Sequence, residues 1–169
     1  TVKDTLSLLD ALPIWDSSAS VRANAEGEWM VKLPPQSVGE ATVLEIEAGR
    51  ESVVFTDVLV GEVWICSGQL NMEWPVGRSA NAEAEIAAAD YPSIRLFDVP
   101  RRFSPEPLDD VEGTWQVCSP ETVASFSGVG YYFGRTLYQE LGVPVGLVSS
   151  SWGGTRAEAW TPMKRLESD

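Results

Sequence analysis

The sequence predicts an α/β protein in which residues 57–169 form a parallel sheet with helices and residues 1–56 form a small strand-rich, sandwich-like segment. Two patterns support this division. In residues 42–56, apolar and polar positions alternate on either side of Gly49, which is typical of an antiparallel hairpin. From residue 62 onward, short apolar runs alternate with stretches of helical spacing, which favours a parallel sheet covered by helices. The 169 residues suffice for one ordinary domain, or for a small module joined to part of a larger one.

The strand-rich segment contains three candidate strands. Residues 29–33 are β-leaning and stop at Pro34 and Pro35. Residues 42–47 and 52–56 are the two arms of the predicted hairpin. This segment resembles part of a β-sandwich, although it holds too few strands to close one.

The first 16 residues do not continue the strand pattern, and we expect them to lie outside the domain. Residues 6–14 form a short apolar stretch interrupted by Asp10 and Pro13, with no small-residue cleavage pattern after it. We therefore do not expect a signal peptide here.

The second segment alternates strands and helices. Residues 63–66 form a continuous apolar run, which predicts a strand buried on both faces. We expect a helix over residues 80–89 capped by Ser79, and a second over residues 122–141 ended by Gly142. The apolar stripe of the second helix consists of Val129, Tyr132, Phe133, Leu137 and Leu141. Further strands are expected at residues 94–99, 115–118 and 144–149.

Composition excludes several classes of function. The chain has 12 Lys plus Arg against 25 Asp plus Glu, a formal charge of −13, which disfavours nucleic-acid binding. It contains no His, so neither a Ser-His-Asp relay nor a His-ligated metal site can be built from these residues alone. Its two cysteines cannot complete a thiolate site, and we expect no metal.

Two further expectations concern membranes and thiols. No stretch approaches the ~18 to 20 apolar residues that a membrane-spanning helix needs. Cys66 and Cys118 both lie in apolar, strand-like runs. We expect them to be buried free thiols, although sequence alone does not exclude that they pair.

The residues that suggest chemistry lie in two loops, at 67–74 (SGQLNMEW) and 149–155 (SSSWGGT). Each follows a predicted parallel strand, and ligands of such sheets bind beyond the carboxyl ends of the strands. Tight glycine turns expose backbone N–H groups to an anion or a developing oxyanion. Trp152 could stack on a sugar ring. The alternative is that both loops are only connecting turns.

The segments GEVWICSGQLNMEW and ASFSGVGYYFGRTLYQELGVPVGLVSSSWGGTRAEAW resemble the sialate O-acetylesterase family, which belongs to the SGNH-type serine esterases. The likeness covers residues 57–162, and residues 21–55 look like the small β-domain that precedes the hydrolase. The resemblance implies the N-terminal part of an SGNH-hydrolase-like sheet. It also implies removal of O-acetyl groups from sialic acid or an acetylated plant polysaccharide by serine-esterase chemistry, without a metal or organic cofactor.

The chain departs from the family pattern at the catalytic positions. Where the family has its nucleophilic Ser, this sequence has Leu70, whose side chain cannot attack a carbonyl. The family's Asp-x-x-His segment has no counterpart. Natural substitution, sequence error and loss of activity all remain open. Replacement of the nucleophile by Ser67, Ser149, Ser150 or Ser151 is conceivable, but none occupies the matching position.

The resemblance also assigns binding roles. It places the backbone N–H groups of Leu70, Gly153 and Gly154 toward the oxyanion, flanked by the side chains of Gln69 and Asn71. Arg156 would meet a sialic-acid carboxylate, or simply face solvent beside Glu158. Glu73 and Trp74 would pin the turn. The acidic run formed by Asp109, Asp110 and Glu112 predicts a solvated face.

Three hypotheses follow. The first is part of a carbohydrate O-acetylesterase whose substrate is an acetylated sugar or glycan, with Asp and His supplied by a missing carboxyl-terminal segment. The second is a non-catalytic module that binds acetylated carbohydrate. The third is a fragment whose incomplete sheet has an open edge. Family members are often exported, but the sequence does not determine the compartment.

Overall fold

The structure, a computed structural model, describes residues 8–14, 17–104 and 106–167. The chain divides into two compact units, one ending at Val60 and one beginning at Gly61. The described part of the first unit is a single antiparallel sheet in the order β2-β1-β3-β4. Its strands are β1 (Leu8–Ile14), β2 (Ser17–Arg22), β3 (Thr42–Ala48) and β4 (Glu51–Val58).

The predicted hairpin is confirmed, but two other expectations for this unit are wrong. β3 and β4 pair across a turn in which Gly49 has a φ of 65°, a conformation that glycine adopts without strain. Residues 29–33 form no strand, since they run directly into Pro34 and Pro35 and pair with no neighbour in the sheet. Residues 8–14, expected to lie outside the strand pattern, form β1 and pair with β3; residues 1–7 and 15–16 lie outside the described residues.

The second unit contains a sheet in the order β5-β8-β6-β7. Its strands are β5 (Glu62–Gly68), β6 (Tyr91–Asp98), β7 (Gln116–Cys118) and β8 (Val145–Ser151). β5 and β6 both run parallel to β8, which confirms the α/β class. β7 pairs antiparallel with β6, so the sheet is mixed rather than wholly parallel.

The helices of this unit are shorter than the sequence predicts. They are α1 (Leu70–Glu73), α2 (Ala82–Ala87), α3 (Pro120–Val123), α4 (Gly128–Leu141) and α5 (Met163–Leu166), with 3-10 turns at Val76–Arg78 and Ala157–Trp160. Within the described ranges, no helix is long and apolar enough to cross a membrane.

Local backbone conformation explains both shortened helices. α2 begins only after Asn81, which has a left-handed φ of 56°, so Ser79 does not cap it. The helix predicted over residues 122–141 is divided into α3 and α4. A new cap at Ser127, whose hydroxyl accepts a hydrogen bond from the Gly130 N–H, starts α4. Gly142 ends α4, as predicted.

Glycines bring α4 close to the sheet, and the predicted apolar stripe is buried only in part, since Tyr132 and Leu137 pack against the core. A Cβ at Gly134 would lie 2.5 Å from a methyl carbon of Leu147, and one at Gly130 would lie 3.1 Å from the Cys66 sulfur. Tyr131 is fully buried between these glycines. The exposed members of the predicted stripe are Val129, Phe133 and Leu141.

β5 is not buried on both faces, as the sequence predicts, because side chains alternate along a strand and the face that carries Val63 and Ile65 is exposed. Among the described strands β5 is also at the edge of its sheet, where it pairs with β8. Of its apolar residues Cys66 is buried, whereas Ile65 is 72% exposed and Val63 and Trp64 are also exposed. An exposed apolar strand with an unpaired edge is a template for pairing with another chain.

We expect the isolated chain to self-associate through β5. Ile65→Lys places a charge on the exposed edge strand and should weaken this association. In light scattering over a range of protein concentrations, the average mass of the variant should stay closer to that of a monomer than the mass of the parent chain. Val38→Lys is the matched control, since Val38 is an exposed valine outside every strand. Equal association of both variants and the parent chain would contradict a role for this edge.

Cys66 and Cys118 are free and buried, which confirms the expectation for both residues. Burial raises the pKa of both thiols, and that of Cys118 reaches about 11 with a further contribution from the charge of Asp90. A raised pKa leaves little reactive thiolate near neutral pH.

We therefore expect neither thiol of the folded chain to react with a chromogenic disulfide at about pH 8, and both to react once denaturant unfolds it. Spectrophotometric counting of the released thiolate measures this. Rapid reaction of either cysteine in the folded chain would show that the core around it is open.

Candidate functional site

The two predicted loops meet at the carboxyl ends of β5 and β8. Gly68, the last residue of β5, is in register with Ser151, the last residue of β8. Immediately beyond, the Trp152 N–H donates a 3.0 Å hydrogen bond to the Gly68 carbonyl. The structure thus brings the two loops together.

The first loop is a tight turn fixed by its own backbone. Gly68 has a φ of +145°, which L side chains rarely adopt, and the chain then enters α1 at Leu70. The N–H groups of Met72 and Glu73 donate to the Gln69 carbonyl. The end of the turn is held by the start of α4, because the Gly128 N–H donates to the Trp74 carbonyl at 2.8 Å.

Glu73 links the first loop to the second. Its Oε2 accepts a 2.6 Å hydrogen bond from the Gly153 N–H, and its Oε1 forms an ion pair with Arg101. The Glu73 side chain is 28% exposed and that of Arg101 is 51% exposed, so solvent screens the pair only in part. A charge-assisted hydrogen bond to a backbone N–H is among the stronger polar contacts in proteins.

Gly153 leaves no room for a side chain at this junction. A Cβ at this position would collide with the Glu73 carboxylate and would lie 3.3 Å from a methyl carbon of Leu70. The Leu70 side chain therefore lies beside the second loop at Gly153, the residue whose N–H donates to Glu73. The Leu70 side chain is 63% exposed, and it carries no group that can attack an ester.

The hydrogen bond to Glu73 corrects one expectation. The Gly153 N–H was expected to face an oxyanion, but it donates to the Glu73 carboxylate. Gly154 follows with a φ of +80°, which again favours glycine. The Glu73 side chain thus ties its turn to the neighbouring loop and to Arg101.

The remaining predicted residues lie on the exposed side of the two loops. Gln69 and Asn71 flank Leu70 and are exposed. Trp152 is 38% exposed. The Thr155 hydroxyl donates to the Trp152 carbonyl and accepts from the Trp160 indole N–H, both at 2.7 Å, which braces the second loop. Arg156 is exposed at the start of the following 3-10 turn.

Sequence reasoning missed two residues at this edge of the sheet. Arg101 follows β6 by three residues, and nothing local in the sequence marks it as the partner of Glu73. Asp98 ends β6 and hydrogen-bonds with Ser149; burial raises the pKa of its carboxyl, and this hydrogen bond partly offsets the rise. Both lie beyond or at the carboxyl end of a parallel strand, which is the signal that could have identified them.

The serines considered as substitute nucleophiles differ in accessibility. Ser149 is buried and hydrogen-bonded to Asp98, whereas Ser67 is exposed.

Among the residues that the structure describes, no cluster of three or more His, Cys, Asp or Glu side chains is positioned to hold a metal ion.

We expect Glu73→Ala to release the second loop, because it removes both the acceptor for Gly153 and the partner of Arg101. Amide hydrogen exchange at Gly153 should accelerate about tenfold or more, as expected for the loss of a hydrogen bond to a charged group. Glu73→Gln keeps an acceptor oxygen and should have a smaller effect. Glu83→Ala is the control, since Glu83 is exposed on α2. Unchanged exchange at Gly153 in Glu73→Ala would rule out this link.

Comparison with known proteins agrees with the resemblance of the two loops. The family model described as carbohydrate esterase, sialic acid-specific acetylesterase matches residues 60–168. The sialate O-acetylesterase of Mus musculus is 39% identical over 152 residues, which cover 82% of this chain and 28% of that protein. That of Homo sapiens is 37% identical over 161 residues, 88% of this chain and 31% of that protein.

A solved structure is similar to nearly the whole chain. The crystal structure of a carbohydrate acetylesterase from Xanthomonas citri matches with a TM-score of 0.92 and 34% sequence identity. The match covers 97% of this chain and 38% of that one, and the chain spans less than a third of the two curated relatives described above. The chain belongs to the carbohydrate esterase family of sialic acid-specific acetylesterases.

Proposed function

We propose that the two loops at residues 67–74 and 149–155 bind the O-acetyl group of a carbohydrate, and that this chain does not itself cleave the ester. The proposal is supported mainly by the position of Leu70, whose side chain lies beside Gly153 in the second loop, where the Gly153 N–H donates to the Glu73 carboxylate. Family membership supports the acetylated carbohydrate as ligand.

Binding of an acetyl group uses the parts of the site that do not depend on a nucleophile. The exposed Leu70 side chain offers an apolar contact to the acetyl methyl group. The ester carbonyl would accept hydrogen bonds from the backbone N–H groups of Leu70 and Gly154 and from the Asn71 or Gln69 amide. Trp152 would contact the sugar ring.

Turnover needs two groups that these residues do not contain. A serine esterase attacks the carbonyl with a hydroxyl oxygen and moves its proton to a base, and the position of the attacking group holds Leu70. The chain has no His to act as that base. Removing a member of such a triad lowers the rate by orders of magnitude. For an active family member, we propose that Asp and His come from polypeptide outside these 169 residues.

Chemical rescue tests both parts of this proposal. In the presence of imidazole as an external base, Leu70→Ser should release acetate from a chromogenic acetate ester at least about tenfold faster than the parent chain. Leu70→Ala is the matched control, because it opens the same space without a hydroxyl. Without imidazole, Leu70→Ser should remain close to the parent chain, since no general base is present.

Two results would overturn the proposal. If Leu70→Ala and Leu70→Ser respond equally to imidazole, position 70 does not face the ester. If the parent chain turns over without imidazole and loses that activity on Ser67→Ala, the chain is an esterase with a different nucleophile.

A further inference from the structure

The segment at residues 124–128 lies outside the two loops and contacts the first of them. It opens the second of the two stretches of sequence that resemble the family. The sequence predicts an uninterrupted helix here, but the structure has a break between α3 and α4. Ser127, which is only 3% exposed, lies in that break. Because a buried hydroxyl needs hydrogen-bond partners, those of Ser127 show what the segment holds in place.

The backbone of this segment pairs with the end of the first loop. The Gly128 N–H donates to the Trp74 carbonyl at 2.8 Å. The Val76 N–H donates to the Phe126 carbonyl at 3.0 Å. A Cβ at Gly128 would lie 3.3 Å from the Trp74 carbonyl oxygen, so the two stretches of backbone approach closely. These contacts lie on both sides of Ser127 and fix where its side chain starts.

The Ser127 side chain extends this contact into the first loop. Its hydroxyl oxygen accepts a 3.1 Å hydrogen bond from the Gly130 N–H, which caps α4. Its O–H donates to the Met72 sulfur at 3.6 Å. A thioether sulfur is a weak acceptor, but the Met72 side chain also packs against the hydrophobic core. One hydroxyl therefore joins the cap of α4 to α1.

Met72 lies two residues after position 70 in the short helix α1. Glu73, the next residue, holds α1 from another direction, since its carboxylate accepts a hydrogen bond from the Gly153 N–H. Met72 thus joins α1 to α4, and Glu73 joins α1 to the second loop. The Leu70 side chain at the start of the same helix takes part in neither hydrogen bond and is 63% exposed.

We infer that Ser127 is a positioning residue of the candidate site, because it sets the placement of residue 70 through Met72. The inference rests on the proposed function, since it concerns the residue at the attacking position of the family. The effect of Ser127 passes through α1 and requires no contact with the ligand. Its loss should slow an attack from position 70 and leave sugar binding by Trp152 largely unchanged.

The experiment measures imidazole-assisted acetate release from a mono-O-acetylated sugar by the Leu70→Ser chain, with and without Ser127→Ala. Ser127→Ala should lower kcat about tenfold and change KM less than about twofold, because α1 moves while the second loop does not. Ser127→Thr keeps the hydroxyl and should retain most of the rate. Met72→Leu keeps the volume of the side chain, removes the sulfur and should lower kcat by a smaller factor.

Ser119→Ala is the matched control. Ser119 is another serine that caps a helix of the same unit, and its hydroxyl accepts a hydrogen bond from the Glu121 N–H at the start of α3. Its removal takes away a cap of the same kind without touching the first loop, so kcat should stay within about twofold of the Leu70→Ser chain.

Amide hydrogen exchange in the chain with Leu70 intact provides a measurement that does not depend on turnover. The N–H groups of Met72 and Glu73 donate to the Gln69 carbonyl within the turn. Ser127→Ala should accelerate their exchange about fivefold or more, because α1 opens more often, whereas Ser119→Ala should not.

Three results would overturn the inference. If Ser127→Ala and Ser119→Ala lower kcat equally, Ser127 acts through overall stability. If Ser127→Ala raises KM and leaves kcat unchanged, it does not position residue 70. If Ser127→Ala does not fold, Met72→Leu is compared with Met163→Leu, a change at a methionine that is 66% exposed, and equal kcat values in these two variants would contradict the inference.

Failure of the proposed function gives a different pattern. If imidazole does not rescue the Leu70→Ser chain even with Ser127 intact, the proposed function fails. Amide exchange then decides the role of Ser127 in placing α1, and unchanged exchange at Met72 and Glu73 in Ser127→Ala would show that it has none.

Discussion

The carboxylate of Glu73 is the group on which the geometry of the candidate site depends. It accepts a hydrogen bond from the Gly153 N–H and pairs with Arg101, so one side chain joins the ends of β5, β6 and β8. The backbone bond from Trp152 to Gly68 adds a second tie between the same loops. Because a carboxylate can hold two donors at once, a single residue positions three loops against each other.

This arrangement separates binding from catalysis. The tie through Glu73 does not involve the side chain at position 70, because Leu70 lies beside the second loop without being part of the hydrogen-bonded link. A site of this kind can lose its attacking group and keep the shape that holds an acetyl group.

Local sequence patterns predicted the parts of the structure that local chemistry controls. The hairpin at Gly49, the apolar runs of β5 and β8, and the two glycine turns follow from spacing and backbone preference. Family likeness of the turns was equally visible in the sequence, since it depends on contiguous motifs. The burial of β5 was not visible in the sequence, because its apolar composition is that of a strand covered on both faces, whereas the face that carries Val63 and Ile65 is exposed. The hydrogen bond between Glu73 and Gly153 could not be predicted from the sequence either. It joins residues 80 positions apart, and it depends on the parallel pairing of β5 with β8.

In the proposed complex, an acetyl group lies between the Leu70 side chain and the second loop. Intermolecular nuclear Overhauser effects in a complex of this chain with a mono-O-acetylated sugar test it most directly. We predict cross-peaks from the acetyl methyl protons to the Leu70 methyl groups, and from the sugar ring to the Trp152 indole. Cross-peaks confined to residues away from both loops, at saturating sugar, would contradict it.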